Sequence, residues 1–208
     1  MPKKWTDIER EKIHKILQKH ARILFEKYGL AKTSIDEIVQ AVNISKGAFY
    51  TFYTSKEVLY FEILESIEQE FKGKLFKQAF QPGLSRHESF KNFLREIIQV
   101  LTTMPIFKHL ITTDYQYLLK KLPEEMVKKH VQKDFENASA YFSSWIQKGW
   151  IKPVNLKALN GMLLSMFYFV IHRDDLDFDF KASQEMYIDM LTHYLVIEES
   201  PINTPGKQ

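Results

Sequence analysis

Between Val42 and Lys46 the chain has only Asn43, Ile44 and Ser45 in which to end one helix and begin another. Upstream, "TSIDEIVQAV" opens with Ser34 and, three residues later, Glu37. Such a pair satisfies two orphaned amides reciprocally at a helix start. Ile35, Ile38 and Val42 mark its buried face. Asn43 is one of the few residue types that enters the left-handed region at small cost. Ser45 then supplies an N-cap for "KGAFYTFY". Two short helices joined by so tight a linker must cross steeply, so a helix-turn-helix is expected over about 34–53.

Helical signals continue on both sides. Thr6 and Glu9 form a capping box ahead of Ile13, Ile16, Leu17, Ala21, Leu24, Phe25 and Tyr28, and Gly29 is the expected end of that helix. Thr54 with Glu57 predicts another box, ahead of Val58, Leu59, Ile63, Ile67, Phe71 and Leu75. Five more helical stretches follow, punctuated by "QPGL" at 81–84, Pro105, Pro123, Gly149 and the acidic loop "RDDLDFDF" at 173–180. Gly and Pro, at seven each, are too scarce for a turn-rich β-sandwich. The chain has no cysteine, which excludes disulfides and thiolate metal sites. The start "MPKKWTDIEREKIHKIL" has charges where a secretory signal needs an apolar core, and "GMLLSMFYFVI" is far shorter than the roughly 20 residues that span a bilayer, so a cytoplasmic protein with no membrane partner is expected. Residues 1–60 hold eleven Lys or Arg against seven Asp or Glu, while the remainder holds eighteen against nineteen. The basic end is the end with the helix-turn-helix, as a polyanion-binding surface requires.

The side chains of 44–57 suit the major groove of DNA. Gly47 and Ala48 keep the first turn of the second short helix lean, so its backbone can approach base edges. Lys46 reaches guanine or phosphate, Tyr50 points the same way four residues on, and Phe49 and Tyr53 form the opposite, inward stripe. Ser34 and Lys56, each at a helix start, are placed to meet neighbouring phosphates, and Thr51 supplies a further hydroxyl. Nothing resembles a phosphate loop, a Gly-x-Ser-x-Gly elbow or a His-Glu-x-x-His zinc motif, so no catalytic residue, cofactor or metal ligand is assigned and an enzyme is not expected. Asp175, Asp177 and Asp179 imitate a calcium loop, but Phe180 and Met186 stand where it needs Gly and Glu.

The stretch "TSIDEIVQAVNISKGAFYTFYTSKEVLY" resembles the N-terminal DNA-binding domain of the tetracycline-repressor (TetR) family, with Ile38, Ile44, Ser45, Lys46, Gly47, Tyr50, Lys56 and Glu57 as the matching positions. Val39, Asn43, Ala48 and Phe52 depart from the pattern, and a phenyl ring at 52 cannot hydrogen-bond a phosphate. The resemblance implies an all-α fold of about nine helices. A three-helix DNA-binding domain over 6–66 would precede a larger helical ligand-binding and dimerisation domain over 67–200 and a disordered tail at 201–208. It implies a transcriptional regulator, most often a repressor, that leaves a palindromic double-stranded DNA operator when a small-molecule effector binds. A regulator without a small-molecule ligand, or an activator, is the alternative.

Phe107, Tyr115, Phe135, Phe142, Trp145 and Tyr168 are candidate pocket-lining rings, although the same rings equally suit a plain core. Residues 158–171 are apolar nearly all round and should be buried on several faces. Gly161 and Ser165 allow close helix approach there, and Met186, Met190 and Tyr194 broaden the apolar face of the last helix. These five residues are candidates for a homodimer interface, with an intrachain core as the competing reading.

Overall fold

The computed structural model describes residues 5–81, 83–175 and 177–198, so the expected tail at 201–208 lies outside the described residues. Among them there are nine helices: α1 (Asp7–Lys32), α2 (Ile35–Val42), α3 (Lys46–Phe49), α4 (Lys56–Gln78), α5 (Arg86–Thr103), α6, α7 (Glu124–Gln147), α8 (Leu156–Ile171) and α9 (Phe180–Leu195). Helix α6 runs in three consecutive pieces, Pro105–His109, a π-helical turn Leu110–Asp114, and Tyr115–Lys121. The only extended pairing among the described residues is a bridge between Ile151 and Val196. None of these helices is long and apolar enough to cross a membrane.

Local chemistry explains most boundaries. Thr6 and Ser34 form complete capping boxes with Glu9 and Glu37, and Asn43 closes α2 at φ 57° and ψ 47°. Gly29, at φ 79°, does end the regular part of α1, although a last short turn continues to Lys32. Two expectations need correction. At α4 the capping hydroxyl is that of Ser55, which accepts the Val58 amide at 3.2 Å, rather than that of Thr54. The Glu57 carboxylate instead accepts the Tyr117 hydroxyl at 2.7 Å. The third short helix also stops sooner than "KGAFYTFY" implies, because Tyr50–Phe52 turn away after one regular turn.

The chain divides into two compact units. The first runs through Glu70 and includes Leu101–Lys129; the second comprises Phe71–Val100 and the chain from His130 onward. The unit that holds the helix-turn-helix therefore includes α6, a segment the sequence reading assigned to the 67–200 domain.

In the first unit, Leu17, Ala21, Phe25, Leu30, Ile38, Phe49, Leu59, Tyr60 and Ile106 are fully buried. The core of the second is a cluster of rings. Phe76 lies 5.1 Å from Phe93, 5.6 Å from Phe142 and 5.7 Å from Trp145, and Phe80 lies 4.8 Å from Trp150. Helix α8 departs from expectation. Leu159, Met166 and Val170 are buried, but Met162, Leu164 and Tyr168 are exposed, so an all-round apolar helix has an uncovered face in the single chain.

Candidate nucleic-acid interface

Helix α3 is oriented by the two rings it buries. Phe49 is 0% and Tyr53 3% exposed. The Tyr53 hydroxyl lies 2.7 Å from Nε2 of His14 and donates to Glu62 at 3.2 Å, which ties the end of the helix-turn-helix to α1 and α4. Burial, reinforced by the Glu62 charge, pushes the Tyr53 phenol well above its ordinary value, so it stays a neutral donor. With these side chains inward, the opposite face of α3 must point out. Tyr50 is 52% exposed, and Lys46 and Gly47 are exposed beside it. Lys46 makes only an exposed ion pair, at 3.0 Å, to Asp36. Such a pair contributes little to stability, so the lysine is available to another anion.

Gly47 is informative because the protein does not need it. Its φ is not positive, and a Cβ built there would meet nothing nearer than Ser45 Oγ at 3.9 Å. An alanine would fit the protein as well and would favour helix by up to ~1 kcal/mol. Ala48 is half-buried, and the Thr51 hydroxyl donates to its carbonyl at 2.7 Å. At the start of α2 the Ser34 hydroxyl donates to Glu37 at 2.8 Å. The Ser34 backbone amide, and then its hydroxyl, hold the Glu37 carboxyl below the usual range.

Lys56 has a structural task that spacing did not reveal. Its ammonium donates to the carbonyls of Leu30 at 2.8 Å, Ala31 at 3.4 Å and Thr33 at 2.7 Å, and so caps the carbonyl end of α1. A cation at that negative helix end is favourable. This accounts for a lysine in the first turn of α4 without any phosphate. The adjoining α1 break is held from the other side. The fully buried Asp114 carboxylate accepts the Leu30 amide at 2.7 Å, and the Thr33 hydroxyl donates to Gly29 at 2.8 Å. A Cβ on Gly29 would lie 3.2 Å from His109 and 3.3 Å from Asp114. Here, unlike at position 47, φ favours glycine, and any Cβ would also need His109 and Asp114 to give by a few tenths of an ångström.

Phe52, the departure from the family pattern, packs against α1. Its ring lies 5.9 Å from that of Trp5, and the Arg10 guanidinium carbon is 4.9 Å above its centroid. Neither Arg10 nor Trp5 carried a signal in sequence, because the contact spans more than forty residues of chain.

The candidate pocket rings are divided between the two units. Phe107 and Tyr115 lie in the first unit; Phe135, Phe142, Trp145 and Tyr168 lie in the second. Phe142 and Trp145 are packed ring to ring at 5.3 Å, whereas Tyr168 is 42% exposed. The candidate dimer residues fall on an exposed surface. Met186, Met190 and Tyr194 recur every four residues along α9 and are 65–67% exposed. Gly161 and Ser165 are exposed on α8, where the Ser165 hydroxyl lies 3.1 Å from that of Tyr187. In the acidic loop, Asp175 pairs with His172 at 2.6 Å and Asp179 caps α9 through the Ala182 amide at 2.9 Å.

The family model described as "Bacterial regulatory proteins, tetR family" matches residues 17–63, from the middle of α1 to the first half of α4. The HTH-type transcriptional regulator YhgD of Bacillus subtilis is 26% identical over 161 residues, 76% of this chain and 81% of the relative. Among solved structures, a TetR-family transcriptional regulator from Pectobacterium atrosepticum superposes with a TM-score of 0.71 at 19% identity, covering 94% of this chain and all of the other. RolR in complex with its ligand resorcinol superposes with a TM-score of 0.60 at 16% identity, covering 93% of this chain and 92% of the other. The matched segment spans the helix-turn-helix, so residues 17–63 form a TetR-type helix-turn-helix domain, and the all-helical fold along nearly the whole chain is one that solved TetR-family regulators share.

Proposed function

We propose that the chain is a homodimeric cytoplasmic repressor that binds a palindromic operator through α3 and is released when a small molecule binds its C-terminal region. The observation that carries the DNA-binding part is the outward face of α3. Lys46, Gly47 and Tyr50 are exposed there, and the glycine has no purpose inside the protein. A bare backbone at that place suits close approach to base edges. Lys46 and Ala48 are then the base-reading residues, and Tyr50, Thr51 and Ser34 the phosphate contacts. Lys56 contributes by setting the start of α4 against α1, and reaches a phosphate only through a donor exchanged from the α1 carbonyls.

Dimerisation is supported by the uncovered apolar faces of α8 and α9, with Gly161, Ser165, Met186, Met190 and Tyr194 at the contact. Two-fold symmetry would then set half-sites about 34–36 Å apart. Effector binding is supported by the RolR complex, which holds a small aromatic ligand in a related fold. Phe107, Tyr115, Phe135, Phe142, Trp145 and Tyr168 remain the aromatic surface for such a ligand. The reading-head boundary at 6–66 and the body at 67–200 are retained as functional domains.

The test is binding to the DNA upstream of the chain's own gene, followed by fluorescence anisotropy across a salt series. One palindromic fragment should be preferred, with affinity falling steeply as salt rises. Lys46→Ala should blur the choice of sequence. Gly47→Ala should stabilise the folded protein by up to ~1 kcal/mol while weakening operator binding at least tenfold. Undiminished operator affinity in Gly47→Ala would refute the groove-facing assignment of α3.

A further inference from the structure

We propose that Arg10, stacked on Phe52, is a phosphate clamp that extends the DNA-binding surface from α3 onto α1; this rests on the DNA-binding reading above. Three features point to it. The guanidinium carbon stands 4.9 Å over the Phe52 ring, and one NH2 group donates to the Thr51 carbonyl at 2.7 Å. The side chain is therefore held at two points, which removes much of the rotamer entropy that a free arginine would lose on binding. The platform is itself fixed, because the Phe52 ring meets Trp5 edge-on at 5.9 Å and His14 at 6.4 Å. Arg10 is nevertheless exposed, and the residues it grips directly follow Tyr50 on the outward side of α3.

Arginine carries five N–H donors in a planar fork, and the Thr51 carbonyl uses only part of that set. Arg10 also lines a surface hollow of about 430 Å³, together with Asp7, Glu11, His14 and Phe52. The two carboxylates there oppose an anion, but Glu11 is already paired with Lys15 at 2.7 Å, and Asp7 sits in the first turn of α1, where the helix dipole offsets its charge. A planar, prepositioned cation beside a recognition helix suits a backbone phosphate, since guanidinium and phosphate pair through two parallel hydrogen bonds. Phe52 gives up direct phosphate bonding and serves instead as the surface that aims the arginine.

The experiment measures affinity against salt for the full-length protein and its variants, on the preferred fragment and on an unrelated duplex. Arg10→Ala should weaken both duplexes by a similar factor and reduce the salt slope by about one unit, the signature of one lost phosphate contact. Arg10→Lys should keep the slope but lose part of the affinity. Phe52→Leu retains an apolar contact for Trp5 while removing the π face; it should weaken binding alone and add little in the Arg10→Ala background. An Arg10→Ala variant that melts normally and keeps the wild-type slope would overturn the clamp while leaving the DNA-binding reading intact. Wild-type protein that binds no duplex would overturn both.

Discussion

The two units of this protein are held together by different means. In the first, polar side chains meet backbone. Lys56 caps three carbonyls at the end of α1, Asp114 takes the Leu30 amide, and Arg10 takes the Thr51 carbonyl. In the second, rings meet rings around Phe76, Phe142 and Trp145, and α5 joins α9 through half-buried ion pairs. The contrast follows from the helix ends gathered in the first unit: the broken end of α1, the short α2 and α3, and the start of α4. Short helices such as α2 and α3 have a large share of their amides and carbonyls at unsatisfied ends, so their geometry depends on caps. Long helices satisfy themselves and need chiefly an apolar face. Directional bonds position a reading head, whereas ring packing supplies bulk stability.

Several substitutions test that contrast. Phe142→Ala, in the ring cluster, should cost about 3–5 kcal/mol. Amide exchange should show the loss over 130–198, while 7–63 keeps its protection; equal loss in both stretches would erase the distinction. Gly29→Ala places a Cβ against His109 and Asp114 at a left-handed position and should cost about 1–3 kcal/mol. Its exchange signature should be the reverse, centred on the α1–α2 junction and α6, with operator affinity falling in step.

Alkaline titration probes the first unit most strongly, although burial also raises the phenol of Tyr187 on α9. Burial raises the phenols of Tyr53 and Tyr60, with Glu62 and Asp114 adding to it, and the Glu57 hydrogen bond pushes Tyr117 up to about 12. All three lie in the first unit. A group whose folded value is raised gives its full stabilisation below the unfolded value, here 10.0, and loses it as pH climbs through the folded value. Tyrosinate absorbance should therefore show a late fraction that ionises only as helix signal from the first unit is lost.

The smallest effect is expected at Arg95. Its bond to Glu185, at 2.8 Å, lowers that carboxyl, yet both side chains are more than a third exposed. Arg95→Met should cost less than about 1 kcal/mol at neutral pH. Because the Glu185 value is depressed, the wild-type advantage is present above the ordinary value of 4.5 and disappears as pH falls through the folded value. Thermal melts of the two proteins should converge there.

Much of this architecture is written in neighbouring residues. The boxes at Thr6 and Ser34, the left-handed turn at Asn43 and the cap at Ser45 each involve partners four residues apart or fewer, so residue type alone specifies them. The inward stripe of Phe49 and Tyr53, and with it the outward face of α3, follows from helical spacing in the same way. Where local signals tie, neighbours are not enough. Thr54 and Ser55 are adjacent hydroxyls, and it is Ser55 that takes the Val58 amide at 3.2 Å. The remaining contacts have no local signature. Lys56 reaches carbonyls 23–26 residues earlier, Arg10 reaches Thr51 across 41, and Asp114 reaches Leu30 across 84.

Residue order alone therefore decided that this chain is a string of helices with a lean, basic turn near its amino end, because capping and periodicity are short-range effects. Tertiary packing decided which cations stay exposed beside the helix-turn-helix and which support a helix end, because a lysine or arginine carries the same charge in either role and only its neighbours in space distinguish them.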